Sequence, residues 1–324
     1  MSGLTDWLSL RDGSTPGAAL EVAMNRVCAV ALDQRSTRPT VTAHAVELLP
    51  DGALAPSLTQ PNIRDRDVLG ATVRRVLEGV GRPRKIALIL PDAVAKVSII
   101  KFEKPPQRRD DLAQLVRWQM RKAAPFPINE AQVSFVPGAR ASDGHEFIVS
   151  IARQAIIQEY ESLCQEAGAH AGLVDIATFN VVNTVLGAGV REGVDWLLVN
   201  VAPDSASIAI LRGAELLFFR SRGADAEGTL ADLVHQTAMY YQDRLQGTGF
   251  GRVLLCGAAA ANARQVTDVD QIRRGLEQRL RTPVETVDVR GAVTLTDRIM
   301  ASQGLLDALA PAVGALLRGR EVAA

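Results

Sequence analysis

Two short joints between apolar strands carry residue types that could hold a phosphate group. In VNVAPDSASIAIL, Asn200 and Ser205 flank a tight corner, and in LEVAMNRVCAVAL, Glu21 and Asn25 stand at a corner of the same layout. Some folds use such a strand–turn–strand corner to hold the phosphates of a nucleotide through backbone N–H groups. The two joints therefore suggest a phosphate site, although two unrelated hairpins could also share this pattern by chance.

The composition excludes several other kinds of site. The chain has 324 residues with 36 basic and 36 acidic side chains, and only 4% of its residues are aromatic, so neither charge nor stacking favours nucleic acid. Its three cysteines show no CxxC spacing and its four histidines no ligand spacing, so we expect buried free thiols and no metal site. No run of 18 apolar residues occurs, and we expect a soluble, cytoplasmic protein.

The corners are positioned by strands that alternate with helices, which is typical of an α/β fold. Alternating apolar runs predict strands over Ala18–Val22, Val27–Leu32, Val41–Leu49, Ile86–Leu90, Trp196–Val201, Ser205–Leu211 and Glu215–Arg220. Helical spacing of apolar residues predicts helices over 66–81, from Gln154, over Thr229–Gln246 and over Leu305–Leu317. The two similar corners each open one half of the chain, so two halves facing each other would place both corners in one cleft.

Several longer motifs, in order along the chain, resemble the PilM family of type IV pilus assembly proteins. They are LVRWQMRKAAPFPINEAQVSF, GLVDIATFNVVNTV, HQTAMYYQDRLQ followed by RVLLCG, and LAPAVGALLRG. The resemblance runs from about Ala18 to Gly319 and extends to the L platform protein of type II secretion. It implies a two-lobed actin-like fold, of the ribonuclease H-like kind, with a small α+β subdomain inserted into the first lobe.

The resemblance also implies a division of the chain. After an N-terminal extension over 1–17, we expect the first lobe at 18–96 plus 170–190. The inserted subdomain would then take 97–169 and the second lobe 194–324.

In the actin-like superfamily, the resemblance implies an Asp and then a Gly in each hairpin corner. The Asp holds Mg²⁺ through water, and the Gly lets the backbone approach the phosphates. In the first corner of this chain, Glu21 stands in place of the Asp and Ala23-Met24 in place of the Gly.

The second corner and the late strand depart from the pattern as well. Asn200 replaces the Asp, Ala202-Pro203 replace the Gly, and after the late strand Gly257 is kept but is followed by alanines. Asn25 and Ser205 could still offer hydrogen-bond donors. We therefore expect a vestigial nucleotide site with no cofactor and no catalysis. The alternative is a working protein of this fold that still holds ATP and Mg²⁺.

The resemblance implies a protein partner, because family members seat the N-terminal cytoplasmic peptide of the membrane protein PilN between the inserted unit and the first lobe. Trp118, Arg121, Phe126 and Phe135 are our candidates for that groove, although the aromatic residues could instead be core. We expect a non-catalytic scaffold, peripheral on the inner membrane and in contact with other pilus or secretion components. The sequence does not decide whether the chain forms a homo-oligomer.

Two aspartates and two further function classes complete the candidates. Asp92 ends a strand and could be functional or form a cap or turn, and Asp175 could face the cleft or cap a helix. A sugar or acid kinase of this fold would need an Asp base after the hairpin at 212–221, and none is recognisable. A filament-forming protein would depend on nucleotide.

Overall fold

The computed structural model describes residues 16–141, 144–190, 193–223, 228–261, 269–296 and 301–318. The strands are β1 (Ala18–Ala23), β2 (Arg26–Asp33), β3 (Thr40–Leu48), β4 (Lys85–Leu90), β5 (Ala95–Phe102), β6 (Ala131–Ala141), β7 (Gly144–Arg153), β8 (His170–Ile176), β9 (Asp195–Val201), β10 (Ser205–Arg212), β11 (Glu215–Gly223), β12 (Arg252–Cys256), β13 (Val284–Thr286) and β14 (Thr294–Leu295). The helices are α1 (Arg66–Gly79), α2 (Arg109–Met120), α3 (Gln154–Glu166), α4 (Ala177–Gly187), α5 (Leu230–Arg244), α6 (Ala258–Ala261), α7 (Val269–Leu280) and α8 (Gln303–Leu317). The strands and helices predicted from periodicity are confirmed, with ends that differ by a few residues.

Two sheets form the cores of two lobes. The first has the strand order β14-β3-β2-β1-β4-β8 and the second the order β11-β10-β9-β12-β13. In each sheet an antiparallel hairpin, β1–β2 or β9–β10, is followed along the chain by strands that pair in parallel with its first strand. The repeated layout seen in the sequence is therefore a repeated arrangement of strands.

A small third sheet is inserted after β4. Its order is β5-β7-β6, and α2 packs on it through Val116 and Met120 against Phe147, Val149 and Ile151. The inserted unit was predicted to extend to residue 169, but α3 instead packs with the first sheet and α1, and its Tyr160 lies in that core. The apolar face of α3 matches the first lobe, so the insert ends near residue 153. The predicted turn at 142–143 lies outside the described residues, as does the N-terminal extension up to residue 15.

The helices α4 and α8 lie between the two lobes and share one apolar core with residues of both sheets. The second lobe was predicted to continue to residue 324, and this needs correction, because β14 pairs with β3 and α8 packs on β1, β2 and β4. The crossing of α4 and α8 is close. A Cβ on Gly314 would overlap the backbone of Asn180, and Thr184 Oγ1 donates to the carbonyl oxygen of Ala310 at 2.6 Å. The end of the chain thus returns to the first lobe.

Candidate functional site

The first corner, between β1 and β2, contains a buried ion pair. Arg26 Nη2 donates to both carboxylate oxygens of Glu21, at 3.2 and 3.0 Å, and the two residues are 6% and 3% exposed. Burial raises the pKa of Glu21, while the charge and hydrogen bonds of Arg26 act in the opposite direction. The carboxylate that replaces the family's Asp is therefore engaged by a cation from its own hairpin.

The same corner contacts the second lobe. Asn25 Nδ2 donates to the carbonyl oxygens of Ala260 at 3.0 Å and Ala261 at 3.1 Å, in α6. The other end of α6 is also bonded within the chain, since the N–H of Ala259 donates to Asp307 of α8 at 2.9 Å. Asp307 is 3% exposed, and Gln303 Nε2 donates to its other oxygen at 2.9 Å.

The second corner, between β9 and β10, lies beside Gly257. Asn200 is paired in register with Cys256, and a Cβ on Gly257 would overlap the Val201 carbonyl oxygen and lie 3.0 Å from Asn200 Oδ1. Gly257 has a φ of +80°, which disfavours other residues there. The structure thus brings Asn200 and Gly257 together.

The side chains of the second corner are engaged as well. Asn200 Nδ2 donates to Thr178 Oγ1 at 2.9 Å, and Ser205 Oγ donates to Asp204 at 3.3 Å. The N–H of Ala202 donates to the carbonyl oxygen of Ser205 at 2.8 Å. Asn200 and Ser205 are 8% and 5% exposed, so both are buried.

Asp92 joins the two lobes from the end of β4. Its carboxylate accepts from the N–H of Thr178 at 3.0 Å, from Ser207 Oγ at 2.7 Å and from Thr178 Oγ1. Burial raises the pKa of Asp92, against the effect of these donors. Asp92 was predicted either to be functional or to form a cap or turn. In the structure it caps the first turn of α4 from outside that helix, since it follows β4.

A cavity of about 30 Å³ lies where the inserted sheet meets the first lobe. Its apolar lining residues include Leu90, Val94, Ala95, Ile157, Val174, Ile176 and Phe179. Its polar lining residues are Gln132, Ser134, Ser150 and Asp175. Asp175 does not cap α4, whose N-cap is Ile176. Arg318 Nη1 lies 3.5 Å from its carboxylate, and burial raises the pKa of Asp175 to about 6.

The four predicted groove residues are not all at the surface. Trp118 on α2 is 63% exposed and Arg121 is exposed, whereas Phe126 is buried. Phe135 packs edge-on to Phe147 with the ring centroids 6.1 Å apart, in the core of the inserted unit. Phe126 is therefore a core residue, Phe135 is half-buried against the core of the inserted unit, and none of the four lines the cavity.

Sequence reasoning missed the groups that engage the two corners. Arg26 directly follows the first corner and could have been noticed as a partner for Glu21. Thr178 gave no signal, because it meets Asn200 only through long-range packing, and the same is true of Ser207 at Asp92 and of Asp307 at α6. Within the described ranges, no three His, Cys, Asp or Glu side chains come together as a metal site, and no helix has the length and apolar character needed to cross a membrane.

Comparison with known proteins identifies the family. The model of the family described as type IV pilus assembly protein PilM matches residues 19–226, well over half of the chain. The chain belongs to the PilM family. A comparison with curated proteins finds no match.

Solved structures agree with this fold. One similar structure is the PilM-PilN type IV pilus biogenesis complex, with a TM-score of 0.79 and 18% identity over 95% of this chain and 100% of that one. A Bacteroides thetaiotaomicron protein of actin-like ATPase fold and unknown function has a TM-score of 0.50 and 10% identity over 86% and 93%. The cytoplasmic domain of EpsL from Vibrio cholerae, an inner membrane component of type II secretion, has a TM-score of 0.46 and 10% identity over 74% and 80%. The PilM-PilN and Bacteroides thetaiotaomicron structures, with TM-scores of 0.79 and 0.50, confirm the two-lobed actin-like fold with an inserted subdomain.

Proposed function

We propose that this chain is a non-catalytic, cytoplasmic scaffold of the type IV pilus assembly platform, and that it binds the N-terminal tail of a PilN-like membrane protein. The cavity between the inserted sheet and the first lobe carries the proposal, since it lies where the family resemblance puts the peptide groove. Its apolar lining and its volume of about 30 Å³ suit one small apolar side chain of an extended peptide. The family match and the similarity to a PilM-PilN complex support this partner, and they favour a pilus over the secretion system that the sequence left open.

We propose further that the nucleotide site is vestigial. The support is that three of the side chains expected at the Mg-nucleotide site are engaged within the chain: Glu21 by Arg26, Asn25 by α6, and Asn200 by Thr178. The carboxylate of Asp307 is already bonded to α6 beside Gly257. A hydrogen bond to a charged group is worth about 1.5–3 kcal/mol, so losing two or three of them would weaken nucleotide binding by several powers of ten.

On this proposal the scaffold is held at the inner membrane by its partner's tail. Trp118 and Arg121 stay as proposed contacts outside the cavity, with other platform components or a second copy of the chain. Trp118 suits such a contact because it is largely exposed. Aromatic and Arg side chains are also enriched at protein interfaces.

The tail proposal can be tested by binding of a fluorescent N-terminal peptide from a PilN-like protein of the same organism. Gln132 lines the cavity, and Gln132→Trp would fill it, so we expect at least about tenfold weaker binding, or 1.4 kcal/mol. Gln114→Trp, on the exposed side of α2, is the matched control and should bind like the wild type. No binding by the wild-type chain would refute the proposed function, and equal binding by both variants would place the tail elsewhere.

A further inference from the structure

Four sets of hydrogen bonds connect the two lobes across the cleft, and each starts from a different element. Asn25 in the β1–β2 corner reaches α6, and Asp307 in α8 reaches the other end of α6. Asp92 after β4 accepts from Ser207 in β10, and Asn200 in β9 donates to Thr178 at the start of α4. Elements that pack with the first lobe therefore bond to the second corner, to β10 and to α6, the helix that follows β12.

Most of the groups in these contacts lie inside the protein, and Asn25 is half-buried. Asp92, Asp307, Thr178 and Ser207 are between 0% and 7% exposed. A buried polar group that loses its hydrogen-bond partner raises the free energy of the protein more than it would in water, where a water molecule replaces the partner. Opening the cleft would require all four sets to break together, or water to enter and replace them.

We propose that these contacts form a latch that holds the two lobes closed with no ligand between them. In a two-lobed protein, a ligand in the cleft favours the closed state because it contacts both lobes only when they are together. Here the Asn25 amide and the Asp307 carboxylate make those contacts on either end of α6. The inference rests on one part of the proposed function, namely that no nucleotide is needed between the lobes. The inserted unit, with the tail cavity, then keeps a fixed position, since β11 of the second lobe also packs against β5 and β6.

The distance between the lobes can be measured by spin labels on the full-length chain. Arg74 on α1 and Gln242 on α5 are exposed and lie in different lobes, so Cys residues there can be labelled. Cys28, Cys164 and Cys256 are free but buried and should react little. We expect one narrow distance distribution that is the same with and without Mg-ATP.

Variants identify the source of the closure. Asn25→Ala with Asp307→Ala removes both contacts to α6, and we expect a second population at longer distance. Gln34→Ala is the matched control, because Gln34 Nε2 donates to the carbonyl oxygen of Leu316 at 3.0 Å within the first lobe. Its distribution should match the wild type. If the double variant does not fold, Asn25→Ala alone tests the contact of the first corner with α6 against the same control, and a smaller second population is expected.

Two results would overturn the latch: a wild-type distribution that Mg-ATP shifts or narrows, or a folded variant without the α6 contacts that stays as narrow as the wild type. Adding the tail peptide to the same labelled chains separates this outcome from failure of the proposed function. Tail binding by a chain that opens freely would remove only the latch. A closed chain that binds no tail would remove only the proposed function.

Discussion

Asp175 shows how burial sets the behaviour of a single carboxyl group. It lies at the end of β8 and lines the cavity, and among the described residues its cationic partner is the Arg318 guanidinium, 3.5 Å away. Burial raises its pKa from 3.8 to about 6, so the folded chain binds the proton of Asp175 more tightly than the unfolded chain does.

This shift predicts a pH dependence of stability. The contribution of Asp175 to the free energy of unfolding should be fully present below about pH 4 and lost as the pH rises through about 6, with a total of about 3 kcal/mol. In Asp175→Asn, urea unfolding should lack this gain between pH 7 and pH 5. The variant Asp67→Asn, at an exposed site on α1, corrects for the loss of one charge. Parallel pH curves for wild type and Asp175→Asn would contradict the assignment.

At the residue scale, the sequence predicted where the two corners lie, but not whether their side chains bond within the chain. The positions of Glu21, Asn25 and Asn200 follow from local patterning and from the resemblance. Whether a polar side chain there faces a ligand depends on groups far away in sequence, such as α6 for Asn25. A short motif holds no information on those partners.

At the scale of elements, the crossing of α4 and α8 between the lobes depends on Gly314. A Cβ there would overlap the Asn180 carbonyl oxygen and lie 2.7 Å from Thr184 Oγ1. Gly314→Ala should therefore force the helices apart and lower the free energy of unfolding by about 1–3 kcal/mol.

A second glycine provides the control for this prediction. Gly275 lies within α7, where an added Cβ would meet nothing within 4 Å, so Gly275→Ala should stabilise the chain by about 0.5–1 kcal/mol through helix propensity. Urea unfolding of both variants measures the difference. A Gly314→Ala chain as stable as Gly275→Ala would show that the helix crossing is not tight.

Apolar periodicity predicted most elements but not the unit to which each belongs. The helical spacing in α3 and α8 gives their length and apolar face, whereas the sheet that covers this face is decided by tertiary packing. This is why α3 was assigned to the inserted unit and α8 to the second lobe, although both pack on the first sheet.

At the scale of the whole molecule, the resemblance gave the family and the fold, and no property of composition could have done so. The cavity beside the inserted sheet was not predicted residue by residue, because its lining comes from β4, β5, β6, β7, β8 and the helices α3 and α4. Aromatic residues of the inserted unit were predicted to line the partner groove. The cavity between that unit and the first lobe is lined by residues that each resemble ordinary core residues in the sequence.

We propose above all that this PilM-family chain works as a scaffold, and that the polar side chains of its cleft bond to one another instead of to Mg-ATP. Calorimetric titration of the full-length chain with Mg-ATP tests it most directly, with the tail peptide as the positive control on the same preparation. The account predicts heat for the peptide and a dissociation constant for Mg-ATP weaker than about 1 mM. A Mg-ATP dissociation constant below about 1 µM would contradict it.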